Sequence, residues 1–246
     1  DFRSEVSEPG FYSAAFPSEG VTVEVTATER TAAYRIAFGR GRPAKLLVDL
    51  QWMNGWEGSN NVVSCANVLA ESRRGIVGGR STKAWLKRQV FWKIAFDRPW
   101  TSAERLPPAN AAERGERYVL DFGKIDAPLE ARVAISTVGE DGAAKNFAAE
   151  AEGRTFDEIR AAARAKWDAA LSGFDVPGAS PDMKTAFYTS LYHLFTQPND
   201  IADVDGRYRG GDGKVATAAG GRYFTGLSLW DTFRAAHPLY TLVAPE

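Results

Sequence analysis

The chain has 246 residues, 44% of them hydrophobic and 25% charged, with a formal net charge of -1. That balance excludes disorder as the main state, and near-neutrality without clustered Lys or Arg excludes nucleic acid or an anionic membrane surface as a partner held by charge. One cysteine, Cys65, excludes an internal disulfide and a Cys-based zinc site, and two histidines are too few for a histidine-rich metal site.

No apolar run approaches the ~20 residues of a membrane-spanning helix. The opening "DFRSEVSEPG" carries neither a Met nor a secretory signal peptide. An inert, buried thiol is the expected state of Cys65.

From Gly10 to about Thr137 the hydrophobic period is two. Val21, Val23 and Val25 alternate with Thr22, Glu24 and Thr26. Leu46 to Leu50 reads as a further strand, as do the runs from Val90, Tyr118 and Leu129. Pro9-Gly10, Gly39 to Pro43, Gly78-Gly79 and Pro107-Pro108 read as turns between strands. This pattern predicts an antiparallel β-sandwich. After the Leu46–Leu50 strand comes "QWMNGWEGSNN", where Trp52 and Trp56 lie among amide and glycine residues. Indoles beside amide donors suit a sugar-contact loop; the alternative is two Trp folded back on the sheet.

The period then changes. Thr155 and Glu158 have capping-box spacing, and Phe156, Ile159, Ala163 and Trp167 follow on one helical face. Ser180 with Pro181 predicts a second helix start, with Leu191 on its buried face. A polar, glycine-rich segment of about 25 residues follows, "NDIADVDGRYRGGDGKVATAAGGRYF", longer than connections between helices usually are. An EF-hand reading starting at Asp203 fails, because Arg207, Tyr208 and Lys214 stand where ligands and the turn glycine belong. No Gly-Lys-Ser/Thr leads into a helix, so a phosphate loop fails too. What remains is a solvated turn cluster or a functional loop.

Ser228 opens a third predicted helix, "SLWDTFRAAHPLYTLVAPE". Asp231 has the spacing of a helix-start carboxylate, Arg234 that of a salt-bridge partner, and His237 that of a satisfied core histidine. Pro238 is expected to bend or end the helix. The layout is α+β and multidomain. Residues 1–150 are expected to form a β-sandwich, 151–176 a helical linker, and 177–246 the beginning of an all-helical domain. The roughly 70 residues of that last part are too few to bury both faces of each helix, so the helical domain is expected to continue.

"SLWDTFRAAHPLYTL", preceded by "FYTSLYH" and "DVDGRYRGGDGK", resembles glycoside hydrolase family 92, the exo-acting α-mannosidases. "EVSEPGFYSAAF" and "ISTVGEDGAAKNFAAE" are similar to that family's sandwich domain. The resemblance implies a β-sandwich, a helical linker and an α/α toroid (six-hairpin) domain. It implies calcium-dependent removal of terminal α-mannose from glycans with inversion, by a secreted, periplasmic or cell-surface enzyme. It places Trp230 and Asp231, with Arg234 as a weaker carry-over, at the mannose pocket. It puts the catalytic acid, the base and the calcium ligands beyond residue 246, so none is assigned within the chain, and the isolated chain is expected to be inactive. The competing classes are a non-catalytic carbohydrate-binding sandwich module and another sandwich-plus-toroid glycosidase.

Overall fold

The computed structural model describes residues 4–52, 62–83, 87–110, 113–225 and 229–243. Among the described residues, eleven strands occupy the first part of the chain. β1 (Ser4–Glu8), β2 (Phe11–Phe16), β3 (Val21–Ala27) and β4 (Thr31–Phe38) run as a meander, and β5 (Pro43–Asp49) then leaves for a second sheet. β6 (Val62–Ser72), β7 (Gly75–Lys83) and β8 (Lys87–Phe96) return to the first sheet, followed by β9 (Ser102–Leu106), β10 (Arg117–Lys124) and β11 (Leu129–Ser136). The large sheet has the order β1-β2-β3-β4-β11-β8-β7-β6 and the small one β5-β10-β9. Strand pairing is antiparallel in both sheets.

Alternation along β11 shows how the layers are built. Leu129 and Ala131 face the small sheet, where they meet Ala44, Leu120 and Phe122. Phe96 completes that core, its ring centroid 5.2 Å from Phe122 and 6.1 Å from Trp100. The intervening Glu130 accepts a hydrogen bond from Arg35, and Arg132 donates to the carbonyl of Arg154, on the opposite face. That face is covered by α1 (Glu140–Glu150) and α2 (Phe156–Leu171). Phe11 and Ala33 of the sheet pack there on Ala151, Phe156 and Ile159. Phe156 is 1% exposed, and burial of such a ring stabilises by roughly 2–3 kcal/mol. The predicted sandwich is present, with a third, helical layer on its large sheet.

The Thr155–Glu158 capping box forms as predicted. Thr155 Oγ1 accepts from the Glu158 amide at 3.2 Å, and Glu158 Oε2 accepts from the Thr155 amide at 2.7 Å. α3 (Pro181–Leu194) begins at Ser180, whose Oγ accepts from the Met183 amide at 3.3 Å. Leu191 is the buried residue of that helix. β12 (Asn199–Asp200), β13 (Arg207–Arg209), β14 (Val215–Thr217) and β15 (Phe224–Thr225) follow, then α4 (Leu229–Thr232) and α5 (Ala236–Val243).

Three expectations need correction. First, α1 stands in what reads as the end of the sandwich. Its stretch "EDGAAKNFAAE" holds a single large apolar side chain, Phe147, so its helical period is faint. Second, Gly78 and Gly79 are not a turn but the middle of β7. A Cβ at Gly78 would stand 2.2 Å from the Asn67 carbonyl oxygen and 2.8 Å from the Trp92 indole, and one at Gly79 would stand 2.7 Å from the Phe91 ring. These glycines make room for aromatic rings from the next strand. Third, the single closing helix is two helices, interrupted at 233–235. The break falls where Pro238 is expected to make one, because a proline ring crowds the carbonyl four residues back, here that of Arg234. Pro238 itself lies in the first turn of α5, whose opening bond runs from the Leu239 amide to the Ala235 carbonyl at 2.9 Å. Proline costs little there, because first-turn amides have no intrahelical acceptor.

Gly78→Ala is expected to destabilise the protein by about 1–3 kcal/mol through overpacking against Trp92. A thermal melt unchanged from wild type would contradict this account of β7.

Candidate functional site

The segment between α3 and α4 is not a solvated turn cluster. β12 pairs with β15, and nested inside them β13 pairs with β14. Tyr208 and Tyr223 stack across the two hairpins, 3.7 Å between centroids and 10° between planes. The whole loop is fastened to the end of β11 and to α1.

The central fastening is Asp203, 1% exposed. Its Oδ2 accepts from Ser136 Oγ at 2.7 Å, and its Oδ1 accepts from Asn146 Nδ2 at 2.8 Å. Ser136 Oγ in turn accepts from the Val138 amide at 2.9 Å. Asn146 also donates to the Ile135 carbonyl at 2.8 Å, and its Oδ1 accepts from the Val204 amide at 2.9 Å. The carboxylate reaches this position because residue 142 is glycine. A Cβ there would lie 2.1 Å from Asp203 Oδ2 and 2.5 Å from Ser136 Oγ. Burial pushes the Asp203 carboxyl above the usual carboxylate range, and the Ser136 and Asn146 bonds pull against that.

Around this buried centre lies a charged rim. Lys145 Nζ reaches Asp205 at 2.7 Å, and Arg207 spans from Asp205 at 2.9 Å to Asp141 at 2.7 Å. Burial raises the Asp205 pKa, but hydrogen bonds from Lys145, the Arg207 amide and the Arg207 guanidinium outweigh it and hold the value at about 2. Arg209 donates to the Thr137 and Val138 carbonyls, both at 2.8 Å. At the far side, Arg30 from the β3–β4 turn reaches Asp200 of β12 at 3.2 Å.

The loop thus delivers α4 from a fixed base. Trp230 on α4 is 87% exposed among the described residues. The side chain of Asp231 and the residue Ser228 lie outside what is described, as do Trp56 and the Cys65 side chain. Arg234, in the break between α4 and α5, is exposed, with its guanidinium carbon 5.7 Å from the Phe233 ring centroid. His237 is half-buried and shares a 2.6 Å hydrogen bond with Thr232, the satisfied state expected of it. Tyr240 ties α5 to the end of α3 by donating to the Leu194 and Gln197 carbonyls at 2.9 and 3.1 Å. Trp52 stands apart from this group on the sandwich, 65% exposed just after β5, rather than folded onto the sheet.

The loop carboxylates do not fit calcium. Asp203 is enclosed between two neutral donors, Asp205 is held by Lys145 and Arg207, and Asp212 Oδ1 accepts from the Lys214 amide. Among the described residues no three His, Cys, Asp or Glu side chains gather as a metal site. Sequence reasoning passed over Ser136, Gly142 and Asn146 altogether. A signal was present in Gly142, a helix-breaking residue inside an otherwise alanine-rich helical stretch.

Residues 1–136 match the family description "Glycosyl hydrolase family 92 N-terminal domain", and residues 142–246 match "Glycosyl hydrolase family 92 catalytic domain". The chain belongs to glycoside hydrolase family 92. A solved family 92 α-mannosidase from Bacteroides thetaiotaomicron is 26% identical, with a TM-score of 0.85 over 96% of this chain and 33% of its own. That α-mannosidase has also been solved in complex with mannoimidazole, again at 26% identity and a TM-score of 0.85, covering 96% of this chain and 32% of that one. An inverting family 92 mannosidase from Bacteroides thetaiotaomicron VPI-5482, 22% identical, shares the fold at a TM-score of 0.82 over 96% of this chain and 32% of its own. The chain therefore spans about a third of the length of these relatives. Comparison with curated proteins gives no match. No helix among the described residues is long and apolar enough to cross a membrane.

Two outcomes are expected of the loop. Asp203→Ala leaves the Ser136 hydroxyl hydrogen and one of the two Asn146 amide hydrogens buried without an acceptor, at about 1–3 kcal/mol each. Limited trypsinolysis should then cut faster after Arg209, Lys214 and Arg222, whereas a wild-type cleavage rate would show that Asp203 does not hold the loop. Asp205 is acidified by folding, so its contribution is present above the ordinary carboxylate pKa and is lost as pH falls towards about 2. The stability gap between wild type and Asp205→Asn should be constant above about pH 5 and close between about pH 4 and 2. A gap independent of pH across that window would contradict the ion-pair assignment.

Proposed function

We propose that this chain is part of a glycosidase that removes terminal α-linked mannose from glycans with inversion at the anomeric carbon. The observation that carries the reading is collinear family membership across sheet and helices, joined to the exposed Trp230 indole on the helix that the anchored loop delivers. The likeness to a structure described as an α-mannosidase, also solved with mannoimidazole, supports mannose as the terminal sugar.

In this reading Trp230 stacks on the C–H face of the terminal mannose, and the Asp231 carboxylate takes a charge-assisted hydrogen bond from a sugar hydroxyl. Arg234 stands one helical turn away and contributes charge to the same wall. Trp52, with Trp56, offers a contact for sugar residues from the sandwich side. Residues 1–150 are the sandwich domain, 151–176 the linker, and 177–246 the beginning of a toroid. The packing of α1 on β11 supports keeping α1 with the sandwich.

Inversion needs two carboxyl groups roughly 6.5–9.5 Å apart, one protonating the leaving oxygen and one activating water on the opposite face. We assign neither to this chain, nor any calcium ligand. Asp203 and Asp205 are committed to holding the loop. The isolated 246 residues are proposed to be inactive and the complete enzyme calcium-dependent, acting outside the cytoplasm.

In the complete enzyme, Asp231→Ala is expected to lower kcat/KM on an α-mannoside by more than about tenfold. A loss of only the ~1 kcal/mol of a helix cap, with kcat/KM intact, would overturn the sugar-binding role.

A further inference from the structure

Besides Ser136 at the end of β11, the sandwich reaches the loop before the proposed sugar helix through the side chain of Arg30. It lies in the turn between β3 and β4, yet its side chain is only 11% exposed. Its Nη1 bonds Glu150 Oε1 in the last turn of α1 at 2.9 Å, and its backbone amide bonds the other oxygen of Glu150, also at 2.9 Å. Its own carbonyl accepts from the Ile135 amide of β11 at 3.0 Å. The remaining edge of the guanidinium points into the loop, with Nη2 to Asp200 Oδ2 at 3.2 Å and Nε to the Ala202 carbonyl.

Asp200 then passes the restraint on. Its Oδ1 accepts from the Ala202 amide at 3.0 Å and from the Tyr223 amide at 3.1 Å. The Ile201 amide also bonds the Tyr223 carbonyl at 3.0 Å, and Asp200 pairs with Phe224 in the β12–β15 ladder. β15 is the last described element before α4. This fork from the sandwich therefore restrains β15, the last described strand before the Trp230 helix. A lysine could replace the charge but not the planar fork that serves Glu150, Asp200 and the Ala202 carbonyl together.

We infer that Arg30, acting through Asp200, is a positioning residue by which the β-sandwich sets the placement of the Trp230–Asp231 helix against the sugar. It touches no reacting atom. The inference rests on the sugar-pocket reading given above, but it has a readout that does not.

The test uses the complete enzyme with Arg30→Lys and with Asp200→Asn. The asparagine keeps an acceptor for the Ala202 and Tyr223 amides and removes only the ion pair, so that variant should fold even if the Arg30 variant does not. Amide hydrogen exchange at Tyr223 to Thr225 should accelerate in both variants, while exchange in β11 stays at the wild-type rate. On an α-mannoside, kcat/KM should fall about tenfold to a hundredfold, as expected for a misplaced binding group. In a Trp230→Ala/Asp231→Ala background the same substitutions should cost little more, since they act through the groups already removed. Wild-type exchange at Tyr223 to Thr225 overturns the inference, and so does a full, additive loss of kcat/KM in the Trp230→Ala/Asp231→Ala background. If Asp231→Ala alone leaves kcat/KM intact, the sugar-pocket reading fails instead, and the exchange at Tyr223 to Thr225 still decides whether Arg30 restrains the helix approach.

Discussion

A carboxylate buried against a glycine organises the junction between sheet and helices in this protein. Asp203 enters a space that any side chain at position 142 would fill, and there it accepts from Ser136 at the end of β11 and Asn146 in the middle of α1. Burying a carboxylate without such donors would cost far more than the loop could recover. With both donors in place, three parts of the chain are tied at one point: the last strand of the large sheet, the first helix on its outer face, and the loop that carries the proposed binding helix. The charged rim of Lys145, Asp205, Arg207 and Asp141 extends this joint towards solvent.

The joint explains a division of labour between rigid and exposed parts. The sheet faces are closed by two cores, one between the sheets around Phe96 and Leu129, the other beneath α1 and α2 around Phe156. Beyond the loop, by contrast, Trp230, Phe233 and Leu242 are mostly exposed on α4, α5 and the break between them. An indole proposed to bind sugar from such a short helix needs its approach fixed from elsewhere. The described hydrogen bonds put that support in the loop, and through the loop in the sandwich. In this view the N-terminal sheets do more than accompany a helical catalytic domain; they set the geometry of one wall of its pocket.

How much of this was legible in the sequence follows the range of the interactions. Local signals read correctly: the Thr155–Glu158 box and the Ser180–Pro181 start each depend on residues within a turn of one another. The strands of β3, β8, β10 and β11 were visible in their alternation, and so was the α+β layout. Signals that depend on distant partners were not. Gly78-Gly79 looks like a turn in any window, and only Trp92 and Phe91 on the neighbouring strand show it to be strand interior. Asp203 looks like every other acid in a polar loop, because its partners lie 67 and 57 residues away in sequence. The Trp230–Asp231 pair stands out as charge among apolar residues after a long loop, but its sugar-binding role comes only through likeness to a family.

On the proposed function, the Trp230–Asp231 helix forms a wall of a mannose pocket and the Asp203 joint holds it there. The most direct measurement is a crystal structure of the complete enzyme with a non-hydrolysable α-mannoside bound. The terminal mannose should be stacked on the Trp230 indole, with a sugar hydroxyl bonded to the Asp231 carboxylate and the Ser136–Asp203–Asn146 bonds intact beneath. A mannoside seated elsewhere, with Trp230 buried among other helices, would contradict it.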